Sequence, residues 1–302
     1  MRICVAATPE VALPTLDAIL KSGHEIVSVI TRPDAPAGRG RNLTASPASD
    51  WAVTNKIRVY KPDNPQEIAS LVSECDLVLT IGFGVILPAE ILTIPKFGFL
   101  NLHFSLLPRW RGAAPVQRAI EAGDEITGVT VFKLDAGMDT GPIYYAVEHE
   151  IKPDINSKDL LQELADQGVK AVFKAFDLIE AGQVPKPQVN EGATIAKKLN
   201  SEEAQIDWSQ NSKAITNKVR AFNPNPGAWS NFRGEKVKID EAKSNGARIE
   251  AGVLVYQEKK VLVGSGDCSV ELLKVKPAGK NSMSAQSWIN GLHLATNERF
   301  DG

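Results

Sequence analysis

The sequence predicts a Rossmann-like α/β domain followed by an OB-like β-barrel. Three observations carry that expectation. Apolar runs of strand length alternate with amphipathic helical segments over residues 2–181. A Pro-containing stretch then interrupts the pattern. Beyond it, short strand-like runs with turn signals recur to residue 275. Alternating strands and helices imply a parallel sheet covered on both faces. Several short strands joined by turns imply a small barrel or sandwich, an architecture that often binds nucleic acid. The domains are placed at residues 1–189 and 206–302, with 190–205 as linker. A chain of 302 residues is long enough for two cores.

Each element has its own signal. Residues 2–7 (RICVAA) are a buried-type strand. Thr8-Pro9 opens a helix, with Thr8 suited to cap it and Pro9 to its first turn. That helix carries Val11, Leu13, Leu16, Ile19 and Leu20, and Gly23 ends it. Residues 25–31 form the next strand. Residues 32–47, rich in Pro, Gly and Arg, read as a long loop, and long loops in compact domains are often functional. Short helices are expected at 47–56 and 65–73. Residues 76–81 and 97–102 are strands, then 114–122 a helix, then 127–134 and 142–150 strands. Residues 157–181 form an amphipathic helix with Leu160, Leu161, Leu164, Val169, Val172 and Phe176. In the second part a helix at 210–221 precedes the turn cluster Asn223-Pro224-Asn225-Pro226-Gly227. Strands are expected at 228–232, 236–243, 251–255, 260–263 and 269–275.

Composition excludes several classes. Hydrophobic residues are 43% and charged residues 23%, as in ordinary soluble proteins. The apolar runs are too short for a membrane span, and the start is a strand rather than a secretory signal. A cytoplasmic monomer is the expectation. Cys4, Cys75 and Cys268 are scattered, so neither a disulfide framework nor a zinc site is indicated. Residues 206–302 hold 14 Lys+Arg against 10 Asp+Glu, and residues 1–205 hold 20 against 26. A basic second domain favours an anionic partner.

The densest chemistry lies in residues 98–118, GFLNLHFSLLPRWRGAAPVQR. Asn101 and His103 are two apart on a strand, so both side chains project to one face at its carboxyl end. Open parallel sheets put their ligand crevice there. An amide can donate to a carbonyl oxygen that gains negative charge, and an imidazole can move a proton. A metal is not expected, since His24 and His149 share no ligand spacing with His103.

The run from His103 through Ser105-Leu106-Leu107-Pro108 to Gln117 resembles the signature of the folate-dependent formyltransferases. Thr8-Pro9, residues 32–40 (RPDAPAGRG), Asp139-Thr140-Gly141, residues 203–208 (EAQIDW) and Arg220-Ala221-Phe222-Asn223-Pro224 extend the resemblance. So do Pro277-Ala278-Gly279-Lys280 and Met283-Ser284, and the likeness reaches about residue 290. Ala7 departs from it, standing where the family usually has Gly.

The resemblance implies catalytic roles for Asn101, His103 and Asp139, with Asp139 setting the ring's tautomer. Asp135, four residues earlier, reads as a turn-capping carboxylate. The implied donor is 10-formyltetrahydrofolate, held along Ile81, Phe83, Val85, Ile86 and Leu87 and along Ser105, Leu106, Leu107 and Pro108. The implied acceptor is methionine esterified to the initiator tRNA. Arg32, Arg39 and Arg41 in the loop are the expected tRNA contacts, with Arg39 foremost. Lys213, Lys218 and Arg220 are candidates in the second domain, as are Lys236, Lys238 and Lys280. An amino-sugar nucleotide or glycinamide ribonucleotide is the competing acceptor, and a non-catalytic RNA-binding protein the competing class. A dinucleotide enzyme is disfavoured because residues 1–30 hold no GxGxxG turn.

Overall fold

A computed structural model describes residues 1–37, 42–295 and 297–301. Arg39 and Arg41 lie outside the described residues. The chain forms two compact units, each discontinuous in sequence. Met1–Pro115, Ile126–Glu150 and Leu161–Ala196 make the first, and Val116–Glu125, Ile151–Leu160 and Lys197–Gly302 the second.

The first half of the chain runs through β1 (Arg2–Ala7), α1 (Leu13–Leu20), β2 (Glu25–Ile30), β3 (Ala35–Ala37), β4 (Asn42–Thr44), α2 (Pro47–Thr54) and β5 (Arg58–Tyr60). Next come α3 (Ile68–Leu71), β6 (Leu77–Ile81), α4 (Ala89–Leu92), β7 (Phe99–His103), β8 (Arg111–Gly112) and α5 (Pro115–Ala122). Then follow β9 (Ile126–Lys133), β10 (Ile143–Glu150), α6 (Ser157–Glu180) and β11 (Ile195–Ala196). The main sheet has the order β10-β9-β7-β6-β1-β2-β5. Its strands from β7 to β5 are parallel, while β9 and β10 run antiparallel.

Burial follows position. Every residue of β6 and all but the first of β1 are buried, as an inner parallel strand requires. The edge strand β10 alternates in exposure along its second half. On β7, Leu102 points away from Asn101 and His103. There it meets α6 at Gly168, where a Cβ would fall 2.7 Å from Leu102 Cδ2. The close approach of α6 covers one face of β7, and the opposite face carries the site.

Two local expectations change. Thr8 does not cap a helix: a 3-10 turn at Glu10–Ala12 follows Pro9 with no side-chain cap, and the Thr8 hydroxyl is buried without a hydrogen-bond partner. Pro9 instead packs over Gly82, where a Cβ would lie 2.6 Å from its Cγ. The 32–47 loop holds structure of its own, because β3 and β4 pair antiparallel from Ala35↔Thr44 to Ala37↔Asn42. Ala7, for its part, is fully buried in register with Ile81.

The second unit contains α7 (Ser212–Phe222), capped by the Asn211 side chain accepting from Ala214 N. Its strands are β12 (Trp229–Phe232), β13 (Glu235–Asn245), β14 (Leu254–Gln257), β15 (Lys260–Gly264), β16 (Ser269–Pro277) and β17 (Met283–Ser284). After these come α8 (Ala285–Asn290) and β18 (Phe300–Asp301). The sheet runs β14-β15-β16-β13-β12-β18. It closes on itself, since Val253 bridges Arg299 and Phe300 N donates to Gly252 O at 2.9 Å. Closure removes the free edges and gives the barrel. Register shifts near Glu241 let the long β13 bend. Trp208, Phe232, Trp288 and Phe300 pack together with ring centroids 5.3–5.9 Å apart.

Candidate active site

The sheet delivers Asn101 and His103 at the end of β7. Asn101 is half-buried, and its Oδ1 accepts from the Thr80 hydroxyl on β6 at 2.8 Å. His103 is 5% exposed and packs edge-on to Phe132. Its Nε2 lies 2.8 Å from the Trp110 carbonyl oxygen. A carbonyl only accepts, so Nε2 carries the hydrogen and donates. The neutral ring therefore keeps its lone pair on Nδ1, which faces Asp139 Oδ2 at 3.7 Å. The expected role of Asp139 in setting the tautomer falls to Trp110. The carboxylate lies beside the nitrogen that bears the lone pair.

Asp139 stands at a left-handed φ of 53° and is held from several sides. Gly112 N donates to its Oδ2 at 2.7 Å. Gln188 Nε2 donates to the Asp139 and Gly141 carbonyls at 2.9 and 2.7 Å. Gln188 Oε1 accepts from Arg111 Nη2 at 2.7 Å and from Nε at 3.1 Å. Thr194 Oγ1 accepts from Trp110 N at 2.8 Å, so the same segment also fixes the carbonyl partner of His103. Gly141 is required at its place, since a Cβ there would sit 1.8 Å from Lys133 O. Asp135 takes the capping role expected of it, accepting from Gly137 N and Thr140 Oγ1 at 3.0 and 2.8 Å.

The Ser105–Pro108 segment is braced from within. Ser105 is fully buried and its hydroxyl donates to Arg109 O at 2.6 Å. Thr130 Oγ1 donates to Ser105 O at 2.7 Å and accepts from Leu107 N at 3.2 Å. Leu107 is buried, whereas Leu106 and Pro108 are half-buried. Ile81 is wholly in the core. Phe83 and Leu87 are buried in a separate hydrophobic cluster, and Val85 packs against it. Ile86 is 92% exposed.

Phe83 and Val85 also line a cavity of about 940 Å³ with Thr8, Arg32 and Asn64. That size lies within the usual range for small-molecule sites. Arg32, the described member of the loop set, lines that cavity.

In the second unit Lys213 is exposed, as a phosphate contact needs to be. Lys218 Nζ donates to the Glu203 and Gln205 carbonyls. Arg220 donates to Ile155 O and Asn217 Oδ1, and burial pulls its pKa below the ordinary value. Those two cations brace the fold around α7. Sequence reasoning missed Thr80, Trp110, Gln188 and Thr194. The first lies in an apolar run, the second acts through its backbone, Gln188 sits beside the expected domain boundary, and Thr194 lies in the stretch read as linker. Among the described residues no group of three His, Cys, Asp or Glu could hold a metal, and no helix is long and apolar enough to cross a membrane.

The open sheet with its strand-end site and the closed barrel together define a formyl transferase. Residues 1–176 match the formyl transferase family, and residues 198–293 match the formyl transferase C-terminal domain. Methionyl-tRNA formyltransferase of Salinispora tropica is 42% identical over 307 residues, covering 99% of each chain, and further relatives carry the same name. The chain belongs to the methionyl-tRNA formyltransferase family. Two solved structures share the fold at lower identity. The N-formyltransferase of Helicobacter canadensis, in complex with folinic acid and dTDP-3-aminofucose, has a TM-score of 0.71 at 21% identity over 90% of this chain and 98% of its own. HypX of Aquifex aeolicus, in complex with tetrahydrofolic acid, has a TM-score of 0.68 at 19% identity. The match covers 99% of this chain and 48% of HypX.

Proposed function

We propose that the protein transfers the formyl group of 10-formyltetrahydrofolate to the amino group of methionine esterified to the initiator tRNA, acting as a cytoplasmic monomer. The observation that carries this reading is the gathering of Asn101, His103 and Asp139 at the carboxyl end of β7, with His103 Nδ1 turned toward Asp139 Oδ2. Residues 1–189 would hold the donor and the reacting groups, and residues 206–302 would contact the tRNA.

The residues present fit a folate donor. Phe83 and Val85 give the cavity an apolar wall for a flat ring, and Arg32 and Asn64 set polar side chains on the same cavity. The donor supplies an activated formyl carbon. Because Thr80 occupies Asn101 Oδ1, the Asn101 Nδ2 hydrogens are left to donate to the acyl oxygen as negative charge builds on it. The amine attacks the formyl carbon, His103 Nδ1 takes the proton it releases, and that proton passes to the donor nitrogen as its bond to the formyl carbon breaks, leaving tetrahydrofolate. In between, the imidazolium keeps its Nε2–H bonded to Trp110 O, and its Nδ1–H faces the Asp139 carboxylate, whose opposite charge favours the protonated ring. Gly112 N–H keeps the carboxylate aimed at the ring. No side-chain nucleophile enters this scheme.

Arg32, Arg39 and Arg41 are proposed to meet the tRNA acceptor end, and Lys213 a phosphate of its backbone. The test combines purified protein, the formyl donor and charged initiator tRNA, scored for formyl-methionine. Formylation of an amino-sugar nucleotide with no activity on charged tRNA would overturn the acceptor. Loss of neither activity in Asn101→Ala and His103→Ala would overturn the catalytic reading.

A further inference from the structure

We propose that Thr194 is a positioning residue for the transfer: it holds the Trp110 carbonyl that keeps the His103 hydrogen on Nε2 and so leaves Nδ1 free to take a proton. This rests on the reading of His103 as the group that accepts the proton of the attacking amine. The two ring nitrogens have competing partners. Trp110 O is a neutral acceptor 2.8 Å from Nε2, and Asp139 Oδ2 is a charged one 3.7 Å from Nδ1. At equal distance the carboxylate would win, since a hydrogen bond to an ionised acceptor is roughly twice as strong as a neutral one. The hydrogen would then sit on Nδ1, the lone pair would move to Nε2 beside Trp110, and the ring could no longer take a proton on the side of Asp139. The placement of one carbonyl therefore decides which nitrogen is the base.

That carbonyl belongs to a residue in an unfavourable conformation. Trp110 has a φ of 65°, in the left-handed region that a bulky side chain rarely adopts, so its backbone must be held by its surroundings. Thr194 holds it from both sides. Its hydroxyl oxygen accepts from Trp110 N at 2.8 Å, and its carbonyl accepts from Arg111 N at 2.9 Å. The second bond fixes the peptide plane whose oxygen meets His103, and the first fixes the plane before it. Ser105 Oγ donates to the other end of that earlier plane, at Arg109 O. Both N–H groups can only donate, so the direction of neither Thr194 bond depends on how a side chain is turned. Valine at position 194 would fill nearly the same volume, but it sets a methyl group where the acceptor stood. Trp110 N then loses its partner, and the strained residue gains by turning, which draws its carbonyl away from Nε2. Thr194 acts on His103 through Trp110.

The experiment uses the full-length protein with isotope-labelled histidine ring nitrogens, the His103 signals being assigned by their absence in His103→Ala. Nitrogen NMR of the neutral ring distinguishes Nε2–H from Nδ1–H. In the parent, the hydrogen is expected on Nε2. In Thr194→Val a large share should move to Nδ1, and kcat should fall about fivefold, the equivalent of one neutral hydrogen bond, with KM for formyl donor and charged tRNA unchanged. Thr194→Ser should restore both readouts. Spectra and rates are recorded well below the melting temperature of each variant, so that unfolding does not enter. A parent ring with its hydrogen on Nδ1 would overturn the proposal. So would a valine variant that keeps the hydrogen on Nε2 whatever its kcat, a shifted hydrogen with wild-type kcat, or failure of serine to rescue. Wild-type kcat in His103→Ala would be a different result, removing the catalytic reading on which the proposal stands.

Discussion

Replacing Gln188 by leucine removes four hydrogen bonds at once, two to the Arg111 guanidinium and two to the carbonyls of Asp139 and Gly141. The pair at Arg111 shares one acceptor atom and counts as one charged hydrogen bond, about 2 kcal/mol net. The two carbonyl bonds contribute about 1 kcal/mol each, partly recovered where water reaches the half-buried turn. The expected cost is about 3 kcal/mol, which for a unit of this size lowers Tm by roughly 6–12 °C. Turnover should fall further than stability suggests. A displacement of ~1 Å in a positioned group costs on the order of 100-fold in rate, and Asp139 loses the brace on its own carbonyl. Gln188→Glu separates the two effects. It keeps an acceptor for Arg111 but sets a carboxylate oxygen against the two carbonyls. It should melt above Gln188→Leu yet turn over as slowly. The assay is kcat for formylation of charged initiator tRNA, measured well below the melting point of each variant, beside thermal melts. A leucine variant that melts low but keeps full kcat would refute the claim that Gln188 holds the reacting carboxylate in place.

Other outcomes follow from the same geometry. Asn101→Asp keeps the acceptor for Thr80 but replaces the donor facing the site. It should lower kcat by about 100-fold or more, equivalent to ~3–4 kcal/mol for one oxyanion donor, with folate affinity measured by fluorescence titration nearly unchanged. Arg39→Ala should weaken use of initiator tRNA in steady-state kinetics while leaving folate binding intact, and an equal loss in both would contradict a tRNA role. The backbone N–H of Ser212, helped by Ser265 and Cys268, holds the Asp267 carboxyl down from 3.8 to about 2. A depressed carboxylate stabilises the fold above its unfolded pKa and loses that contribution as pH falls through the folded value. The stability gap between the parent and Asp267→Asn should therefore be full above pH ~4 and close toward pH ~2. Chemical denaturation midpoints across that range test it, and a gap independent of pH would rule out the linkage.

Much of the sheet was legible because inner parallel strands are continuous apolar runs. RICVAA and LVLTI lie within β1 and β6 to a residue, and the i, i+2 spacing of Asn101 and His103 placed both on one face of β7. The apolar face of α6 was equally plain. Elements of two to four residues left no period to read, which is why β5, α4, β8 and β11 were not expected. The barrel's short strands were visible, but not its closure, because the bridge from Val253 to Arg299 joins segments far apart in sequence. The site divides along the same line. Asn101 and His103 sit in a dense local motif, and Asp139 was reached through the resemblance carried by Asp139-Thr140-Gly141. Thr80 looks like one more strand residue, and Trp110 contributes a carbonyl that any residue carries. Lys218 and Arg220 looked like phosphate contacts because sequence shows charge and hides the backbone carbonyls that satisfy it.

The braces at Gln188, Thr194 and Ala196 fall between the two family matches, which end at residue 176 and resume at residue 198. Exchanging halves between relatives at that apparent seam, to redirect the acceptor, would carry these three residues over with the wrong partner. A graft joined at residue 181 would keep every reacting side chain of the recipient and import a stranger's clasp for residues 110–114 and 139–141. The workable junction lies beyond Ala196, where the clasp travels with the chemistry it secures.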